Sequence, residues 1–379
     1  MMSNKKIMIV AGETSGDLHG SNLVKKMKEI DPKLNFIGMG GHRMQDAGVE
    51  NVFNIDDLDI VGISEIFRGI FKIKKRFNKL CEIMDKERPE LVILIDYPGF
   101  NLRLAKQAKK RNIKVAYYIS PQLWAWGKGR IKTVKACIDK MIVILPFEED
   151  FYKGYNVPVE FVGHPLLDTV KTSGTREEIL TSLDITGKPV VGLLPGSRKQ
   201  EIKRILPALV QSAEIMKKSL SNVEFVLLCS ENTDEKDIEQ VLHTTNINIK
   251  IVKNRTYDGM SCCDLLIGAS GTVTLEAALL NVPMIIVYKA SPFTSFLFKT
   301  FLRVPHIGLV NILAGERIVP ELLQEEANPE NISRCTLDIL DSNEKMHDIK
   351  NRLSEIKEKL GSSGASKRAA ESIYQMLEG

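Results

Sequence analysis

The chain has 379 residues, 44% of them hydrophobic and 26% charged, with a formal net charge of +4. That length favours two or three domains with ample core, and the mild positive charge gives no reason to expect nucleic acid as a partner. Six scattered cysteines with no CxxC pair support neither a metal site nor a disulfide framework, and no window nears the roughly 18 apolar residues of a membrane span.

The N-terminus begins like a signal peptide, but its apolar run is five or six residues long and then meets Glu13 and Asp17. A first β-strand suits it better. The runs KIMIVAG (6–12), NFIGMGG (35–41), LVILIDY (91–97), KVAYYIS (114–120), KMIVILPF (140–147) and VEFVGHP (159–165) read as strands buried on both faces of a parallel sheet. Between them lie stretches with helical spacing, such as SNLVKKMKEI and NLRLAKQAKKRN. A second series runs through PVVGLLPGS, VEFVLLCS (223–230), NIKIVK (248–253), DLLIGAS (264–270) and PMIIVY (283–288). The polar, glycine-punctuated segment 168–188 is the candidate linker, and the last forty residues should be helices. The expected architecture is α/β, with two Rossmann-like domains facing one another across a cleft. The first covers 1–167, the second 168–350, and helices at 351–379 pack back on the first domain or on a partner chain.

Ligands of open α/β sheets bind beyond the carboxyl ends of the strands, which selects five turns. AGETSGDLHG (11–20) is neither a Walker loop nor GxGxxG. Gly12 and Gly16 permit a tight turn, Ser15 or Asp17 suits capping of the next helix, and Glu13 suits sugar hydroxyls better than phosphate. In LIDYPGFNLRL, Asp96 ends an apolar strand. It is either a partly desolvated base or a carboxylate bonded to the strand-end backbone. LLPGSRKQEIKR offers Gly196, Ser197 and Arg198 at a helix N-terminus, as an anion site or as an ordinary turn. In LIGASGTVTLEAALL, Ser270, Gly271 and Thr272 open a helix, and Glu276 lies one turn further on, within reach of a ribose diol if a diphosphate sits at the helix end. Asn311 in VNILAGERIVPELLQEE is a polar contact for the cleft, and Pro320-Glu321 reads as the start of a helix. His164 is a packed hinge residue or a site residue, and His19 caps or lines the first turn. No His/Cys cluster suggests a metal.

Residues 60–80 mix Ile66, Phe67, Ile70 and Phe71 with Lys72, Lys74 and Lys75 at helical spacing. Such a helix either faces the core with a solvated basic side or lies on an anionic membrane surface. The aromatic stretch 291–306 and the paired tryptophans of SPQLWAW (120–126) favour a peripheral membrane protein with a lipid substrate.

AGETSGD…G, IDYPGFN, SPQLWAW, PFE, VGHP, LLPGSR, ASGTVTLE, YK…PFT, NILAG and ELLQEE occur in the order found in lipid-A-disaccharide synthases, and the chain resembles that family over nearly its whole length. The resemblance implies an inverting glycosyltransferase of the GT-B type at the inner face of the bacterial inner membrane. UDP-2,3-diacylglucosamine would donate its sugar to 2,3-diacylglucosamine 1-phosphate, giving the β-1,6-linked lipid A disaccharide phosphate and UDP. It also implies Asp96 as base, Glu13 as a carboxylate of the sugar-facing loop, and Arg198, Ser270, Gly271, Thr272, Glu276 and Asn311 at the UDP site. No metal or other cofactor enters, because the helix end and Arg198 stabilise departing UDP. Some members carry Asp where this chain has Gly99, so a second carboxylate there has no assigned role. A homodimer is left open. The rivals are a different UDP-sugar enzyme, such as a 2-epimerase, and a binding protein without turnover.

Overall fold

In the computed structural model the described residues are 5–54, 63–125, 127–229, 233, 235–290 and 305–378, with backbone alone at 63–71 and 128. By contact the chain divides into one unit of Met1–Pro165 with Leu360–Gly379, and a second of Leu166–Lys359.

The first unit is built on a seven-stranded parallel sheet. Its central strands are apolar and buried throughout, as strands covered on both faces must be. In chain order come β1 (Lys6–Ala11), α1 (Thr14–Ile30), β2 (Asn35–Gly40), α2 (His42–Asp46), β3 (Val49–Asn54), α3 (Ile63–Glu87) and β4 (Leu91–Ile95). Then follow α4 (Pro98–Lys110), β5 (Lys114–Tyr118), α5 (Ile131–Cys137), β6 (Lys140–Val143), α6 (Pro146–Lys153) and β7 (Val159–Phe161). The strand order is β3-β2-β1-β4-β5-β6-β7. Gly38 of β2 lies opposite Ile9 of β1, and a Cβ there would overlap the carbonyl of Ile9.

The second unit opens with α7 (Leu166–Thr169) and α8 (Arg176–Ser182), so the segment 168–188 read as a linker holds the end of one short helix and the whole of another. Its sheet orders β10-β9-β8-β11-β12-β13, all parallel. The elements are β8 (Val190–Leu194), α9 (Lys199–Ser219), β9 (Glu224–Cys229), α10 (Glu235–Leu242), β10 (Ile249–Lys253), α11 (Thr256–Ser261), β11 (Leu265–Ala269), α12 (Val273–Leu279) and β12 (Met284–Tyr288). They continue with α13 (Leu309–Ala314), β13 (Glu321–Leu323), α14 (Pro329–Leu340) and α15 (Asn343–Lys359). The chain ends in α16 (Ala365–Glu378), which packs on α1 in the first unit. The division after Lys359 lies nine residues beyond the expected 350/351 boundary, which falls inside α15.

The structure corrects two strand readings. VENVFN forms edge strand β3, whose half-exposed, polar-rich pattern hid it, and Pro320-Glu321 leads into strand β13 rather than a helix. Glu321 is buried there as an acceptor for the Ile307 and Gly308 N–H groups, at 3.1 and 3.0 Å. Among the described residues, no helix is long and apolar enough to cross a membrane.

Candidate active site

In each sheet the strand order reverses once. In the first unit the chain moves outward from β1 through β2 to β3, then returns to β4 on the other side of β1. A crevice opens beyond the strand ends at such a switch point, where flanking connections leave in opposite directions. Ala11 pairs with Ile95 in register, so Glu13 and Asp96 leave adjacent strands at that point. Their charges interact: burial, and then the charge of Glu13, push the Asp96 carboxyl up to about 6. A carboxylate so placed is ionised near neutral pH yet still attracts a proton, as a general base requires.

The backbone at Asp96 is unusual. Asp96 and Tyr97 have φ of +45° and +47°, a left-handed pair without glycine. The Tyr97 ring lies against Gly12, where any Cβ would overlap it, and stacks on Phe100 at 5.5 Å between centroids. Gly12 is therefore small because the β4–α4 turn rests on the β1–α1 turn. Asp17 does not cap its own helix, as the sequence reading allowed. Its buried carboxylate accepts from the N–H groups of Gly41 (2.7 Å), Met44 (3.0 Å) and Arg43 (3.1 Å), capping α2. Glu13 is the N-cap of α1 and makes no side-chain capping bond.

The second unit repeats the arrangement. β8 and β11 are neighbours at its switch point, with Leu194 opposite Gly268. The PGSR and ASGT turns therefore lie side by side. Gly196 has φ +104°, which favours glycine, and a Cβ there would meet the Glu201 carboxylate. Arg198 is the N-cap of α9. Its N–H and Nη1 donate to Glu201 at 3.3 and 3.2 Å, while the side chain remains 77% exposed. Ser197, Gly271 and Thr272 are exposed, and the Ser270 hydroxyl donates to the Ile307 carbonyl at 3.2 Å. Burial pushes Glu276 up to about 7, and among the described residues its carboxylate has no hydrogen-bond partner. Tyr257, a residue the sequence reading missed, is pushed up to about 12 by burial and by Glu276.

Asn311 requires a correction. It is fully buried, and its amide donates to the Val319 carbonyl (2.9 Å) and to Glu321 (2.8 Å) while its oxygen accepts from the N–H groups of Ile318 and Val319. With its bonding capacity spent inside the fold, it shapes the loop after α13 and has nothing left for a nucleotide. His164 and His19 are pushed down to about 3 and about 4, chiefly by burial, so both are neutral. The His164 N–H donates to the Leu360 carbonyl at 3.0 Å, holding the chain where α16 returns.

Lys72, Lys74 and Lys75 are exposed on α3; the side chains of Ile66, Phe67, Ile70 and Phe71 lie outside the described residues, as do Trp126 and residues 291–304. Trp124 is half-buried and is an internal group. Its ring meets Phe147 edge-on at 4.9 Å, and its N–H donates at 3.0 Å to Glu148, which also accepts from the Ser120 hydroxyl at 2.7 Å.

A family profile described as lipid-A-disaccharide synthetase matches residues 7–376. The chain is 45% identical over 377 residues to the lipid-A-disaccharide synthase of Geobacter metallireducens, covering 99% of this chain and 98% of that protein. It is 44% identical over 375 residues to the synthase of Trichlorobacter lovleyi, with the same coverage. Among solved structures, a UDP-GlcNAc 2-epimerase from Neisseria meningitidis bound to UDP-GlcNAc superposes with a TM-score of 0.67 at 13% identity, over 98% of this chain and 100% of that one. The calicheamicin glycosyltransferase superposes at 0.63 and 14% identity, over 100% and 99%. At such identities the likeness shows the fold.

Proposed function

The chain belongs to the lipid-A-disaccharide synthase family, and on that footing we propose how its own residues carry the transfer. It is a glycosyltransferase of lipid A biosynthesis: UDP-2,3-diacylglucosamine gives its sugar to 2,3-diacylglucosamine 1-phosphate, forming the β-1,6-linked disaccharide phosphate and UDP. Asp96 accepts the proton of the acceptor 6-hydroxyl as that oxygen attacks the anomeric carbon. The bond from that carbon to the diphosphate breaks on the opposite side, so an α-linked donor yields a β product. Glu13 accepts from sugar hydroxyls and, by its charge, keeps Asp96 basic. Negative charge arriving on the departing diphosphate is met by Arg198 and by the backbone and hydroxyl donors of Gly196, Ser197, Ser270, Gly271 and Thr272. Glu276 accepts from the ribose diol.

The observation that carries this reading is Asp96 at the β1/β4 switch point, beside Glu13 and with its proton affinity raised towards neutral pH. The same reading seats the protein peripherally on the anionic inner face of the inner membrane through α3, supported by the exposed Lys72, Lys74 and Lys75. Purified protein in detergent with EDTA, given both diacylated substrates, should release UDP and form the disaccharide phosphate, and Asp96→Asn should form neither. UDP release without disaccharide would overturn the assigned acceptor chemistry, and turnover by Asp96→Asn would overturn the base.

A further inference from the structure

We infer that Tyr117 and Asn101 are positioning residues for Asp96: by donating together to the Asp96 carbonyl they hold a left-handed turn in place and so fix where its carboxylate points. The inference rests on the reading of Asp96 as the base.

β4 is buried to its last residue and α4 begins at Pro98, so the chain must reverse within Asp96 and Tyr97. Both residues lie at positive φ, a region that residues with a Cβ avoid, and Gly99 comes too late to supply the turn. Something must over-determine that conformation. The Asp96 carbonyl accepts from the Tyr117 hydroxyl at 2.5 Å and from the Asn101 amide at 2.8 Å, and the same amide reaches the Ile95 carbonyl at 3.1 Å. The Asp96 N–H donates to the Tyr118 carbonyl at 3.2 Å. Tyr117 and Asn101 are both fully buried, one on the neighbouring strand and one on the first turn of α4, so the clamp is anchored from two elements. Burial also pushes the Tyr117 phenol far above its ordinary range, which keeps it a donor at any working pH.

Loss of either donor leaves a buried carbonyl short of a partner and lets the turn relax towards ordinary backbone angles. The carboxylate then leaves its desolvated place beside Glu13. The charged and titratable groups around it are Glu13 from the β1–α1 turn, Tyr97 on its own turn and Tyr117 from β5. Arg76 of α3 acts on Tyr97, and Arg130, just before α5, acts on Tyr117.

The test uses the full chain in detergent, with rates measured from pH 4.5 to 9 for wild type, Tyr117→Phe, Asn101→Leu and Asp96→Asn. Tyr117→Phe keeps the ring and removes only the donor. We expect kcat to fall tenfold or more, KM for the UDP-sugar to stay within twofold, and the acid limb of the profile to move down by at least half a pH unit. Asn101→Leu should move the limb in the same direction. Wild-type kcat and limb in Tyr117→Phe, with Asp96→Asn inactive, would overturn the clamp and leave the base standing. Turnover by Asp96→Asn would overturn the base and the clamp with it. A loss of rate with the limb unmoved and the melting temperature lowered would assign both residues to stability alone and overturn the inference.

Discussion

Asp96, the proposed base, works against its own fold. Its carboxyl is at about 6 in the folded protein, against 3.8 when unperturbed, so folding favours the protonated form. Below pH 4 both states are protonated and nothing is lost. As pH rises through 4 to 6 the unfolded chain ionises first, and above pH 6 the folded protein carries a penalty of about 3 kcal/mol at most. Asp96→Asn should therefore raise the melting temperature at pH 8 and leave it unchanged at pH 4, while abolishing transfer. Glu13→Gln should lower the acid limb of kcat, because the charge that raises Asp96 is gone. At Glu276, raised to about 7 by burial alone, ionisation should strengthen UDP binding between pH 6 and 8. The phosphate of UDP ionises in the same range, so the quantity to read by calorimetry is the difference between wild type and Glu276→Gln. Asp96 and Glu13 stood out in the sequence as candidates because an acid at the end of an apolar run has few reasons to be there, and strand order brings the two turns together. Asn311 misled, since a buried asparagine that spends every bond on its own loop has the same one-letter signature as one that meets a ligand.

At the scale of elements, the glycines and acids of the first turn serve their neighbours more than their own helix. Gly12→Ala should drive the Tyr97 ring off the β1–α1 turn and displace Asp96. We expect kcat to fall tenfold or more, with UDP affinity, which the proposed site assigns to the second unit, unchanged by calorimetry. Asp17→Ala strips three N–H acceptor bonds from the start of α2 and should cost about 2 kcal/mol, the upper end for a lost cap, in a urea titration. The interior strands announced themselves as apolar runs. β3 and β13 did not, because β3 is half-exposed and polar-rich in a pattern that resembles a loop, and because β13 is three residues long and follows a proline.

Across the whole molecule, α16 completes the first unit from the far end of the chain. It covers α1, its Arg368 donates to the Val162 carbonyl at 2.8 Å, and Lys5 and Lys114 donate to its Leu377 and Met376 carbonyls. Ending the chain at Leu360 should lower the melting of the first unit and spare the UDP binding proposed for the second. The charge distribution is equally uneven. Residues 97–138 hold ten Lys and Arg and no acid, and exposed Arg103, Lys106 and Lys110 on α4 and Lys132 and Lys135 on α5 lie on helices that pack together beside α3. The membrane seat proposed for α3 borders this basic layer, and reversing Lys72, Lys74 and Lys75 to Glu should cut recovery with anionic phosphatidylglycerol vesicles at 0.1 M salt at least tenfold. Unchanged recovery would remove the membrane role of α3.

The sequence by itself determined the class of fold, the two βα series, the acids and glycine-serine turns at strand ends, and the family. Each of these is written in local pattern: apolar runs that must be buried, and turn residues that must follow them. Only the tertiary structure decided which strands are neighbours, and hence that Glu13 meets Asp96 and that PGSR lies beside ASGT at a switch point. It also decided that Asp17 caps a helix 24 residues away, that Asn311 is spent internally, and that Tyr117 and Asn101 close on one carbonyl. Strand order and the Asp17 and Tyr117 bonds join residues distant in the chain, which no short window contains, while the Asn311 and Asn101 bonds are local but depend on a backbone path that residue identity alone does not specify.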